Sequence, residues 1–319
     1  MQSNLNLQYI EPPYSKVEDD LAQLITGKRS ANLITHEFCS HQSLILWNAI
    51  TKVKDYYLTQ NEINVIHKAS SNIGNFKHFV DLGPGSDENA LAKALPLIDA
   101  ADVELYCPVD ISPDFANQAS VAIKNQRTCL QTLPIIGNWE ESALNQIPKG
   151  SLVYYSGGSV GNVPLFLGEN GLDGLQRHLL FLKQKMGGAS LLVTVDTNQD
   201  RNTLEQCYNT PMMRWFNHSL WQAFENMHDI HGLIAQNIEI YSKWNRGQKS
   251  VEHIAKAKQD ICLTLNRSEY IWKQGAELVQ SHSIKPTQNQ FIALAHNAGW
   301  SVNEINSAPN NTMKIFLLS

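Results

Sequence analysis

A chain of 319 residues, 43% hydrophobic and 17% charged, can bury one large core or a core plus a smaller lobe. Its net charge of −5, with no basic stripe, argues against a nucleic-acid duplex as partner. The five cysteines, Cys39, Cys107, Cys129, Cys207 and Cys262, are far apart and in no ligand spacing, so they read as reduced thiols rather than a disulfide framework or metal site.

The N-terminal stretch MQSNLNLQYIEPPYSK has no basic start leading into an apolar run, so it does not read as a secretory signal. No apolar stretch approaches the roughly 20 residues of a membrane span. The expectation is a soluble, cytoplasmic protein with a loosely ordered arm within residues 1–30. Residues 42–54 place Leu46, Trp47, Ile50 and Val53 at helical spacing. Thr59 and Glu62 fit a capping box opening a second helix through Ile63 and Ile66.

The pattern then changes. HFVDL (78–82) reads as a short strand ending in GPGS, ENALAKALPLI as a helix, and VELYCPVDI (103–111) as a second strand. DFANQASVAIKN is helical and CLQTLPIIGNW holds a third strand. SLVYYS (151–156) is a fourth strand, residues 172–186 a helix, and ASLLVTVD (189–196) a fifth strand. Strands alternating with helices at this spacing predict a parallel α/β sheet. Residues 201–250 break the rhythm. Trp215, Phe216, Trp221 and Phe224 recur at helical spacings without a clear strand, which predicts a helical insertion. His228 and His231 lack a third ligand and read as an exposed pair, so no metal is expected. Residues 251–283 read as antiparallel strands. A helix capped by Thr287 and stopped by Gly299 follows, and SVNEIN and TMKIFLL predict a terminal hairpin.

Ligands of open parallel sheets bind at the carboxyl ends of the strands. DLGPGS lies at such an end, where Gly83 and Gly85 permit a sharp turn and close backbone approach. A nicotinamide fingerprint would need a glycine at position 88, where Glu88 stands and would face a pyrophosphate unfavourably. No GK[ST] follows, which excludes a Walker A loop. S-adenosylmethionine carries no phosphate and meets neither objection. Asp110 ends the second strand, placed to accept both ribose hydroxyls. Asn138 and Trp139 follow the third strand, where the adenine edge and face would lie. The competing explanation is a structural turn, with Asp110 capping a helix.

The order of motifs resembles the histidine Nα-methyltransferase family, whose best-known members trimethylate histidine on the route to ergothioneine. ITKVKDYYLTQNEINVI (50–66) is similar to the family's ITxLPEYYxTRxExxIL, and VDLGPGSDENALAKAL to its cofactor loop. CPVDIS matches its ribose-binding strand, YYSGGSVGN resembles xFLGSTIGN, and VDTNQDRNTLEQCYN resembles xDLxKDxxxLxxAYxD. FNHSL and WNRGQKSVEH resemble FNxNxL and WNxxxxxIEM. The resemblance spans roughly residues 35–319.

It implies a Rossmann-like class I methyltransferase sheet of seven strands with a second, mixed α+β substrate-binding lobe. The N-terminal arm and helices (1–57) and the insertion (201–283) would form the lobe; 58–200 and 284–319 would form the methyltransferase domain. Gly83, Gly85, Asp110, Asn138 and Trp139 would contact S-adenosylmethionine, with Asn138 replacing the family's aspartate and Asn89 its loop lysine. Asn162 and Tyr208 would grip the substrate carboxylate, and Tyr56 would line the amine side. The implied mechanism is in-line methyl transfer by positioning, with no general base assigned.

Departures gather where the substrate side chain would lie. The family's FYD is Phe38-Cys39-Ser40, its imidazole-gripping ExS is Ser281-His282-Ser283, and its IEM methionine is His253. Glu277 is an acid that could stand in for the missing glutamate. Losing a carboxylate partner costs an imidazole a charge-assisted hydrogen bond of about 1.5–3 kcal/mol. The expected substrate is therefore the amine of another small amino acid or amino-acid-derived metabolite. No nucleic-acid or membrane partner is expected. The competing class is a binding or regulatory protein that keeps the fold without catalysis.

Overall fold

The computed structural model describes residues 8–9, 17–27, 33, 41–137, 143–166, 168–307 and 312–319. Much of the predicted N-terminal arm, and Cys39, Asn138 and Trp139, lie outside the described residues. In chain order the first elements are β1 (Gln8–Tyr9), α1 (Val17–Ile25), α2 (His41–Ile50) and α3 (Tyr57–Ala69). An alternating run follows: β2 (His78–Leu82), α4 (Asp87–Ala101), β3 (Leu105–Asp110), α5 (Pro113–Gln126), β4 (Gln131–Thr132) and β5 (Ile135–Ile136). It continues with β6 (Leu152–Tyr155), α6 (Gly157–Val160), α7 (Gly171–Lys185) and β7 (Ser190–Asp196).

β5-β3-β2-β6-β7 are parallel neighbours. The C-terminal helix α10 (Gln288–Asn297) leads into the predicted hairpin, β14 (Val302–Ser307) and β15 (Met313–Leu318). β15 inserts antiparallel between β7 and β14, completing seven strands. Two-residue β1 and β4 extend the sheet, beside β5 and β3 respectively. The chain winds outward from β2 to β5, then returns to β6 on the other side of β2. That reversal puts the switch point between β2 and β6, where such sheets open a ligand crevice.

Both faces are covered, and the two-residue period of a strand sorts the side chains. Phe79, Tyr106 and Tyr154 pack on one face with Val65 and Ile66 of α3 and Ala94 and Leu97 of α4. Val80, Cys107, Val153 and Tyr155 pack on the other, with Leu175 and Leu179 of α7 and Phe291 of α10.

Residues 201–284 are helical only in their first part. After α8 (Arg201–Tyr208) and α9 (Pro211–Glu225) come β8 (Ile230–His231), β9 (Ile238–Asn245), β10 (Ser250–Ala257), β11 (Ile261–Leu265), β12 (Ser268–Trp272) and β13 (Glu277–Ile284). The expectation of no strand before 251 is thus corrected. β9 alternates Ile238, Ile240 and Ser242 inward and pairs antiparallel with β10. The remainder is antiparallel as expected, in sheets β13-β10-β9 and β12-β11-β8. Of the aromatic stripe, Phe216, Trp221 and Phe224 are buried, whereas Trp215 is 62% exposed.

A second correction concerns α3. Tyr56 is its N-cap residue, with no side-chain capping bond, and Thr59 is a buried residue inside the first turn. The helix starts before Thr59 because Leu58 already packs into the core. Glu62 therefore turns inward instead of reaching back to a cap. Thr287, by contrast, forms its capping box, with Gln290.

Candidate functional site

One cavity opens at the switch point, and most of the described candidate residues line it. On its cofactor side, β2 ends at Gly83 and Gly85, both with left-handed backbone (φ 73° and 69°). The Gly83 N–H donates to Val109 O at 2.9 Å, clamping the turn against β3. A Cβ on Gly85 would lie 3.3 Å from the Asn89 amide, so a side chain would crowd this cradle. Ser86 caps α4 through the Asn89 N–H, and the buried Asn89 amide reaches Thr51 Oγ1 at 3.5 Å. Glu88 turns to solvent and pairs with Lys52 at 2.5 Å.

Asp110 ends β3 in the cavity wall and is buried. Its Oδ1 accepts the Ser112 N–H at 2.8 Å, and the N–H groups of Gly85 and Ile111 also donate to the carboxyl. Burial nevertheless pushes the carboxyl up to about 7, helped by nearby Asp81. The capping role for α5 belongs to Ser112, which accepts from Phe115 N, so Asp110 is not the helix cap. A buried acid beside a glycine cradle suits the diol of a nucleoside.

The loop after β6 crosses the switch point. Ser156, Gly158, Ser159 and Asn162 face the cavity. Gly161 serves packing rather than ligand approach, since a Cβ there would lie 2.5 Å from Ile284 O. That close contact, with Ile284 N donating to Gly161 O at 2.7 Å, ties the end of β13 to the loop. Ser283 and Asn162 thereby reach the same cavity.

Opposite stand Tyr56, Tyr208 and His253, with Trp47, Met213, Phe216 and Asn217. Tyr56 and Tyr208 meet edge to face at 6.0 Å, and Tyr208 lies 5.4 Å from the His253 ring. Trp47 packs on Tyr56 at 5.9 Å and on Phe216 at 5.4 Å, making an aromatic wall. His253 Nδ1 is 2.8 Å from Ser242 Oγ and 3.3 Å from Asn217 Nδ2. Burial, with His282 and Lys285 nearby, pushes this imidazole down to about 3, so it is neutral at physiological pH.

Ser281 is fully buried and is not among the residues lining the cavity. Glu277 stands at the far end of β13, bonded to Tyr241 and Lys243, and does not replace the missing acid. His228 and His231 are exposed, and no cluster of metal-ligating side chains occurs among the described residues.

Two lysines, Lys285 and Lys93, went unnoticed in the sequence. Lys285 is fully buried; its Nζ lies 2.9 Å from Tyr208 Oη, 3.1 Å from Ser283 Oγ and 3.3 Å from Asp196 Oδ2. It donates to both hydroxyl oxygens, and Tyr208 also hydrogen-bonds Ser283 and Tyr56. Glu62 and Lys93 form an ion pair in the cavity wall. Nothing local marks either lysine, because lysine is ordinarily a surface residue.

A family model described as histidine-specific, SAM-dependent methyltransferase matches residues 17–319. The chain is 24% identical over 263 residues to the histidine N-alpha-methyltransferase of Mycolicibacterium smegmatis, covering 80% of this chain and 79% of that protein. It is 23% identical over 280 residues to the N-methyltransferase fsqC of Aspergillus fumigatus, covering 82% and 72%. Among solved structures, a putative O-methyltransferase from Nostoc punctiforme is 11% identical with a TM-score of 0.44, covering 95% of this chain and 70% of that one. Among the described residues no helix is long and apolar enough to cross a membrane.

Proposed function

Given that the chain belongs to the SAM-dependent, histidine-specific methyltransferase family, we propose that it methylates the amine of a small amino acid or amino-acid-derived metabolite other than histidine. The carrying observation is the substrate wall. Among the described residues it offers Asn217, a neutral His253 and Ser283, with the buried Lys285 cation behind and no carboxylate. An imidazole N–H finds no charged acceptor among these described residues, at a cost of about 1.5–3 kcal/mol relative to a site with one. The acids among the described lining residues, Glu62 and Asp110, stand on the cofactor side.

When bound, S-adenosylmethionine supplies a sulfonium methyl whose transfer leaves the bonding pair on sulfur. Gly83 and Gly85 cradle it, and Asp110 accepts from its ribose. Asn138 and Trp139 are assigned to the adenine, although they lie outside the described residues. Asn162 and Tyr208 hold the substrate carboxylate, with the Lys285 ammonium donating to Tyr208 Oη. Tyr56 lines the amine side, and Cys39, His253, Ser281 and Ser283 belong to the side-chain end or its surroundings. The aromatic wall excludes water and orients the amine lone pair toward the methyl. We assign the substrate lobe to 1–57, whose β1 nevertheless pairs with β5 of the central sheet, and 201–283, and the methyltransferase domain to 58–200 and 284–319.

Calorimetric titration of histidine with S-adenosylhomocysteine present, beside labelled-methyl turnover of an amino-acid panel, tests this reading. Turnover of another amino acid without micromolar histidine binding supports it. Micromolar histidine binding refutes the changed substrate, and cofactor binding with no turnover across the panel supports a non-catalytic protein instead.

A further inference from the structure

The Glu62–Lys93 pair does more than join two helices. Glu62, only 3% exposed, accepts from Tyr154 Oη at 2.8 Å, from Ser156 Oγ at 3.0 and 3.1 Å, and from Thr194 Oγ1. Lys93 Nζ approaches its other oxygen at 2.6 Å. The carboxylate is thus fastened to β6, β7 and α4 together. A lysine so held keeps one position for its head group, unlike a surface lysine on a flexible stem.

Lys93 lines the cavity, and among the described lining residues it is the only lysine or arginine. Its ammonium has three N–H donors, and the bond to Glu62 uses one. Asn89 sits one helical turn earlier on α4 and lines the same wall, so this face of the helix looks onto the ligand space.

The sheet orders the ligand. Asp110 ends β3, the glycine turn ends β2, and Ser156, bonded to Glu62, follows β6. These strands are successive neighbours, and two inter-strand steps span about 10 Å. A nucleoside whose ribose rests on Asp110 and whose 5′ substituent crosses the glycine turn brings the end of that substituent to the Glu62–Lys93 wall. In S-adenosylmethionine that end carries a carboxylate.

We propose that Lys93, fixed by Glu62, binds the carboxylate at the methionine end of the cofactor. The contact supplies from position 93 a cation that Asn89 does not provide.

The test is calorimetric binding of S-adenosylmethionine and of decarboxylated S-adenosylmethionine to the full chain, for the wild type, Lys93→Met and Lys93→Arg. The two ligands differ only in the carboxylate. Lys93→Met should weaken S-adenosylmethionine on the order of 10- to 100-fold while moving the decarboxylated ligand less than about threefold. Lys93→Arg should recover most of the loss. Removing one partner of a buried pair leaves the other uncompensated, so Glu62→Gln with Lys93→Met repeats the comparison in a neutral wall if the single variant does not fold. Equal losses for both ligands, or no loss for either, would overturn the proposal. A wild type that binds neither ligand would overturn it together with the cofactor assignment.

Discussion

The carboxyl of Asp110 should make cofactor binding depend on pH. Burial pushes it up to about 7, against the pull of the Ser112, Gly85 and Ile111 N–H groups. Two ribose hydroxyls donate best to the ionised form, so binding expels the proton where the free site still holds it. The penalty is a factor of 1 + 10^(7−pH), roughly tenfold at pH 6 and close to one at pH 8. Affinity for S-adenosylhomocysteine should therefore rise about tenfold from pH 6 to pH 8. Asp110→Asn keeps one acceptor without charge. It should lose about 1.5–3 kcal/mol, roughly 10- to 150-fold, and this pH slope should vanish. Titration calorimetry at pH 6, 7 and 8 measures both effects. A flat wild-type profile, or a variant that keeps the wild-type slope, would refute the reasoning.

Asn162→Ala should raise KM for the accepted amino acid about 10- to 100-fold and leave S-adenosylhomocysteine binding unchanged; equal affinity for that amino acid in calorimetry would remove its role. Lys285→Met strands Asp196 in the core and should cost about 3–5 kcal/mol in urea unfolding. A loss under 1 kcal/mol would show the pair to be dispensable. Folding stability should also respond to acid. His178 and His253 are pushed down to about 3 and His282 to about 4 by burial, so their contribution, present above pH 6.5, is lost as pH falls. Asp81 and Asp110, raised to about 7, oppose this: their contribution is complete below about pH 4 and lost as pH rises through 7. Near pH 5 three imidazoles outweigh two carboxyls, leaving a fall of about 1.4 kcal/mol per pH unit on acidification. Asp81→Asn should steepen that fall; chemical denaturation at pH 4.5–6.5 showing no wild-type decline would contradict the balance.

The sequence by itself determined the sheet and its cofactor edge. Runs such as HFVDL and ASLLVTVD are apolar because both faces of a parallel sheet are covered, and that burial is written in consecutive residues. The glycine turn and the Thr287 cap are likewise local. Tertiary structure decided what depends on distant partners. Glu62 lies three residues after Thr59 and reads as a cap partner, yet its bonds come from Tyr154 and Thr194, 92 and 132 residues away. Lys285 has an ordinary surface residue's identity until Tyr208, 77 residues earlier, and Asp196 close around it. β9 was hidden because half of its alternation is carried by Ser242 and partly exposed residues, and pairing with β10 outweighed its weak local preference. A chain's neighbours along the sequence set its local backbone preferences. Whether a charge survives burial is set by the groups that folding brings to it, and those groups shape the cavity here.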